Sequence, residues 1–203
     1  MELSETLKEI KRGFRLYMNG TASHSMREKG LNYKVNWGIS QVELRKIAEK
    51  YNKNADLAAA LWKENVRECK ILATLLMPVD SMSMDKAVEW GSEISSYELA
   101  ETTVFNLFRH LPFAAKLVDE LLLKDAYQRV AAYHLLLWLL KGGKIGISEV
   151  PQSFWGIAAN DIRLSDVSLR KALINNLLYM QSVDDGYSEE IDRILSIGGI
   201  GAF

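Results

Sequence analysis

The sequence predicts an all-α chain, an α-solenoid in which antiparallel helix pairs stack side by side. Three observations carry that expectation. Apolar residues recur at helical spacing, as Val42, Leu44, Ile47, Leu57, Leu61, Ile71, Leu72 and Leu75 do between Asn32 and Met77. No stretch alternates apolar with polar residues in the manner of a half-buried strand. Turn-forming breaks separate the helical runs into pairs roughly 30 to 40 residues apart, within the range of helical repeats. Two short antiparallel helices leave one apolar face open, so each pair needs a neighbour on either side.

The elements follow in order. Leu3, Leu7, Ile10, Phe14 and Tyr17 trace one stripe of an opening helix, with Lys8, Lys11, Arg12 and Arg15 mostly off it, and Gly20 lies beyond its end. Thr21 to Asn36 is polar and broken, with room for a short helix around Ser25 to Lys29. Ser40 and Glu43 have the spacing of a capping box, which fixes a helix start near Gln41. Asn52 to Asn54 favours a turn, and Asp56 opens the next apolar run. Pro78 ends the helix that follows, and a new run begins near Asp85, with Gly91 weakening it. Ser95 and Glu98 repeat the capping-box spacing and predict a helix from about Ser96 to His110, after which Pro112 suits a first turn. Lys124 and Asp125 mark a junction. Ala126 to Lys141 is apolar nearly all round, as a helix inside a stack should be. Gly142, Gly143 and Gly146 form a connector, lacking the GxxxxGK[ST] spacing of a phosphate loop. Helices are then expected at Pro151 to Ala159, Asp166 to Met180 and Ser188 to Ile197, with Gly198 to Phe203 as a tail.

Composition sets bounds. A chain of 203 residues with 48% apolar content suits one domain, 1–203, with a core that needs no staples. Its formal net charge of −1 is unlike that of a strongly basic nucleic-acid module, so affinity for DNA must come from local clustering of its 25 lysines and arginines. The single cysteine, Cys69, forms no internal disulfide and reads as a small core residue in a reducing cytosol. The N-terminus has charges throughout and no apolar signal core. The longest apolar run, Ala131 to Leu140, contains His134 and is about half the length that spans a bilayer. A soluble, cytoplasmic, monomeric protein is expected. His24 has no second His or Cys at ligand spacing, so no metal site is expected, and without a cofactor fingerprint no cofactor is expected either. Trp62, Trp90, Trp138 and Trp155 read as packing residues, as do His110 and His134.

Trp37-Gly38-Ile39, Leu44-Arg45-Lys46-Ile47-Ala48, Leu61-Trp62, and Glu68 with Ile71-Leu72-Ala73 resemble the front half of the DNA alkylation-repair glycosylases of the AlkD family, which are built from HEAT-like repeats. The resemblance is most specific from about Gly30 to Met77 and continues to about Met180. It implies a concave groove that binds double-stranded DNA, and hydrolysis of the N-glycosidic bond of cationic N3- or N7-alkylpurines. The family's Trp-Asp-x-x-Asp motif is matched in type by Tyr97-Glu98-Leu99-Ala100-Glu101. Loss of a cationic purine builds positive charge on the sugar, which a carboxylate stabilises and an aromatic face assists. Tyr97 and Glu101, four residues apart, share a helical face. The family's arginine aligns with Val130, one residue beyond Arg129, and its late tryptophan with Asn175.

The resemblance therefore implies catalytic roles for Glu101, Tyr97 and Arg129, and DNA contacts for Arg45, Arg67, Lys70, Arg109, Arg163, Arg170 and Lys171, which recur on successive predicted helices. Two further readings stand beside the glycosylase: a catalytically inactive member that binds DNA structures, and a protein-binding helical scaffold. Each also has a bland counterpart, in which Glu98 caps a helix and Glu101 and the basic residues are merely solvated.

Overall fold

A computed structural model describes residues 3–200, and the last residues of the expected tail, 201–203, lie outside them. Among the described residues there are twelve α-helices and no strand, only one isolated parallel bridge between Val35 and Val66. The chain divides into two compact units, one ending at Ser83 and the other beginning at Met84.

The first unit holds α1 (Leu3–Gly13), α2 (Gly20–Glu28), α3 (Gln41–Ala48), α4 (Ala55–Trp62) and α5 (Arg67–Leu76). Helix α5 packs on α3 and α4, and α1 packs on α4. Ile10 and Phe14 bury the centre of the α1 stripe, whereas Leu3 at its start stays exposed. Ser40 caps α3 by accepting from the Glu43 N–H at 3.2 Å, but only this half of the capping box forms: the Glu43 carboxylate takes the Lys46 ammonium at 2.9 Å. Asn54 caps α4 in the same way, and Asn19 starts α2 at Gly20, earlier than the spacing predicts.

The motif residues of this unit converge on one loop. Arg67 and Glu68 at the start of α5 are 1% and 0% exposed. Glu68 accepts from the backbone N–H of Trp37 at 3.1 Å and of Ile39 at 3.3 Å, while Arg67 donates to the Ile39 carbonyl at 2.8 Å and to Glu68 at 3.0 Å. Gly38, between them, has φ +70°, and a Cβ there would lie 2.2 Å from the Asn19 carbonyl oxygen. Only glycine fits. The Trp-Gly-Ile and Glu68 signature is thus a staple that ties the 34–40 segment to α2 and α5.

The second unit contains α6 (Met84–Ser92), α7 (Tyr97–Asn106), α8 (Ala114–Leu122), α9 (Ala126–Lys141), α10 (Gln152–Asp161), α11 (Val167–Val183) and α12 (Ser188–Ile197). Helices α7, α9 and α11 form one layer and α6, α8 and α10 the other, with α12 against α10 and α11. Helix α9 is covered by α7, α8 and α11, which explains why its sequence is apolar nearly all round. Gly91 lets α8 approach closely, because a Cβ there would meet Leu121 Cδ2 at 2.6 Å. The cap of α7 is Ser96, accepting from Leu99 N–H at 3.2 Å, one residue later than the predicted Ser95. Ser96 is buried and Ser95 exposed, so the hydroxyl that cannot reach water takes the cap.

Candidate nucleic-acid interface

The layer α7–α9–α11 brings three helix starts together. Tyr97, the first residue of α7, donates its hydroxyl to Asp166, whose other oxygen caps α11 at Leu169 N–H, 3.0 Å away. The Tyr97 ring meets Tyr127, at the start of α9, edge to face with centroids 4.8 Å apart. One turn along α7, Glu101 is exposed and has no hydrogen-bond or ion-pair partner among the described residues. Burial lowers the His134 pKa, and the charge of Glu101 on α7 partly opposes that shift, so the carboxylate is within electrostatic reach of the imidazole on α9. Tyr97, Glu101, Tyr127 and His134 therefore belong to one face.

Arg129 does not join them. It lies two residues beyond Tyr127, about 200° around α9, and turns to the α8–α10 side. There its Nε donates to Asp161 at 2.8 Å and an Nη to the Lys124 carbonyl at 2.6 Å. Asp161, itself buried, also accepts from the Tyr133 hydroxyl at 2.8 Å. Burial and this carboxylate together push the Tyr133 phenol far above its ordinary pKa, so it stays a donor. Arg129 offsets the charge of a buried aspartate, and the expected Tyr97, Glu101, Arg129 constellation is not assembled.

Further along the face stands a stack. The Arg109 guanidinium lies 3.9 Å from the Phe105 ring centroid and 4.2 Å from that of Trp138, while the two rings are 5.7 Å apart at 66°. Trp138 is 42% exposed, contrary to its reading as a packing residue. Trp62 and Trp90 are buried as expected, and Trp155 stacks on Tyr187. Lys141, a turn beyond Trp138, reaches over Tyr179 of α11. Asn175, at the position of the family's late tryptophan, is exposed, while its neighbour Asn176 is buried and donates to the carbonyls of Tyr133 and Ala172.

The remaining basic residues divide by environment. Arg67 is internal, locked to Ile39 and Glu68, and cannot present its charge to a surface ligand. Arg170 is half-buried and donates to the Gly198 carbonyl, fastening the end of α12. Lys70 sits 4.4 Å above the Trp62 ring. Arg45, Arg163 and Lys171 are exposed, Lys171 on the α11 of this layer. A basic cluster outside the expected DNA contacts lies on α1 and the turn after it: Lys8, Lys11, Arg12 and Arg15 line one groove with Trp37. The signal was present in their spacing of three, one and three residues.

Among the described residues no group of three or more His, Cys, Asp or Glu side chains could hold a metal ion, and no helix is long and apolar enough to cross a membrane.

These features define a helical-repeat protein with an exposed aromatic and cationic face. The model of the family described as DNA alkylation repair enzyme matches residues 10–178, and the chain belongs to that family. Among solved structures, it is similar to one from a new family of proteins related to the HEAT-like repeat DNA glycosylases with affinity for branched DNA structures. The TM-score is 0.76 at 17% identity, over 98% of this chain and 83% of that one. This likeness establishes the fold, an α-helical HEAT-like repeat. No curated protein matches the chain.

Proposed function

We propose that this protein binds DNA by its structure and does not excise alkylated bases. The observation that carries the reading is the engagement of Arg129 with Asp161, on the side of α9 away from Glu101. Excision needs charge-stabilising groups aimed at one sugar, and displacement by about 1 Å costs on the order of a hundredfold in rate. With Tyr97 tied to Asp166 and Asn175 in place of an aromatic, Glu101 is left without the partners the family mechanism uses. What the face does offer is suited to binding. Trp138 and the stacked Arg109 present flat surfaces, Lys141 at the end of α9 supplies positive charge beside them, and the exposed Lys171 supplies it nearer the start of α11. The affinity of the structural neighbour for branched DNA agrees with this reading.

Fluorescence anisotropy with a four-way junction and a linear duplex of equal length tests it. Tighter binding of the junction, weakened by Trp138→Ala and by Lys171→Glu, is expected. Equal and weak binding of both DNAs, unaffected by either substitution, contradicts it.

A second reading is favoured by one observation: Glu101 is an exposed carboxylate one turn from Tyr97 on the same helical face, within electrostatic reach of His134. It would stabilise charge developing on a deoxyribose. Release of N7-methylguanine or N3-methyladenine from methylated DNA, lost in Glu101→Gln, is the result that would establish excision.

A further inference from the structure

The first unit carries a groove of about 280 Å³ lined by Lys8, Lys11, Arg12, Arg15 and Trp37. We propose that it is a binding site for unpaired single-stranded DNA, with the four cations on the phosphates and the Trp37 indole under a base. This rests on the reading of the protein as DNA-binding and adds a second, separate contact in the other unit.

The geometry supports that ligand in three ways. At 100° per residue, Lys8, Lys11 and Arg12 fall within a sector of about 100° of the α1 circumference, Arg15 follows on the 3-10 turn Phe14–Leu16, and Lys8 to Arg15 spans about 10 Å along the axis. That length holds about three phosphate spacings of one stacked strand, and so about four phosphates. The charge is available: Lys11 pairs with Glu64 at 3.0 Å, whereas Lys8, Arg12 and Arg15 have no hydrogen-bond or ion-pair partner among the described residues, and no carboxylate lines the groove among them. The backbone that carries the aromatic wall is anchored. The Trp37 backbone is fixed at both ends, its N–H to Glu68 at 3.1 Å and its carbonyl to Asn19 N–H at 2.8 Å, while its side chain is half-buried. A cationic track beside an aromatic ring is how proteins hold single strands without reading sequence, since every base has a face to stack. A duplex buries its base faces and would use only the cations.

The test is the anisotropy of a labelled ten-nucleotide oligothymidine with the full chain and two variants, Arg12→Glu/Arg15→Glu and Trp37→Leu. Circular dichroism melts establish that each variant is folded. The native chain is expected to bind with a salt slope of about −2.8 for four neutralised phosphates, falling to about −1.4 in the double charge reversal, which loses at least ~10-fold in affinity. Trp37→Leu is expected to lose roughly tenfold on the oligothymidine and nothing on a linear duplex. Unchanged oligothymidine affinity in either folded variant overturns the proposal, as does binding of the native chain to phosphatidylserine vesicles without binding of the oligothymidine. A chain that still prefers the four-way junction while ignoring oligothymidine removes the groove and keeps the proposed function. One that ignores both DNAs removes both.

Discussion

Arg129 and Asp161 form an ion pair of 2.8 Å in which the aspartate carboxylate is 4% exposed and the arginine side chain 20%. Because Tyr133 also donates to the same oxygen, the carboxylate is held from α9 by two side chains one turn apart. A buried carboxylate that loses its countercharge costs about 3 kcal/mol or more. Arg129→Ala is therefore expected to destabilise the fold by about that amount in urea titrations, with junction affinity at low temperature unchanged. A large loss of DNA affinity without loss of stability would mean that Arg129 reaches DNA after all.

Gly38 is held with φ +70° against the Asn19 carbonyl. In Gly38→Ala the added methyl meets backbone, which cannot move aside as a side-chain tip would. Both strain and clash oppose folding, so a loss of about 2 kcal/mol or more is expected. The urea midpoint measures it, and a midpoint within error of the native chain would contradict the staple.

His134 gives the fold a pH dependence. Burial lowers its folded pKa below the ordinary value of 6.5, with the Glu101 charge opposing. The unfolded chain therefore binds this proton more readily than the folded one, and stability rises with pH wherever that difference holds. The contribution is complete above pH 6.5 and is lost as pH falls from there through the folded pKa. Urea midpoints between pH 5 and 7.5 should slope upward, and His134→Gln should flatten that slope. Glu101→Gln, by removing the opposing charge, should steepen it.

Cys69 is fully buried, and its thiol is pushed up to about 12, first by burial. Only thiolate reacts. The native chain should leave Ellman's reagent almost unreacted at pH 8 and consume one equivalent in denaturant. Rapid reaction of the native chain would contradict the burial.

Much of the fold was legible because capping and periodicity act within a few residues. Ser40, Pro78 and the Lys124–Asp125 junction marked their helix ends, and Ser188–Ile197 is a helix over the span predicted. Where two local signals compete, burial decides, as with Ser95 and Ser96. The site was harder to read. Helical spacing puts Tyr97 and Glu101 on one face, and they are on one face. Periodicity also gives the angle between Tyr127 and Arg129, but which of the two looks outward depends on where α8 and α10 pack. Arg67 and Trp138 fail for the same reason: charge predicts exposure and an indole predicts burial only on average, and here Glu68 makes the arginine internal while Arg109 occupies one face of the exposed indole.

On the proposed function, the α7–α9–α11 face holds structured DNA without cutting a glycosidic bond. It is tested most directly by incubating the native chain and Glu101→Gln with methylated duplex, quantifying free N7-methylguanine, and measuring four-way junction affinity on the same preparations. No release by either protein is expected, with junction binding that Trp138→Ala weakens by roughly tenfold, the contribution of about one stacked base. Release of N7-methylguanine by the native chain, abolished in Glu101→Gln, would contradict it.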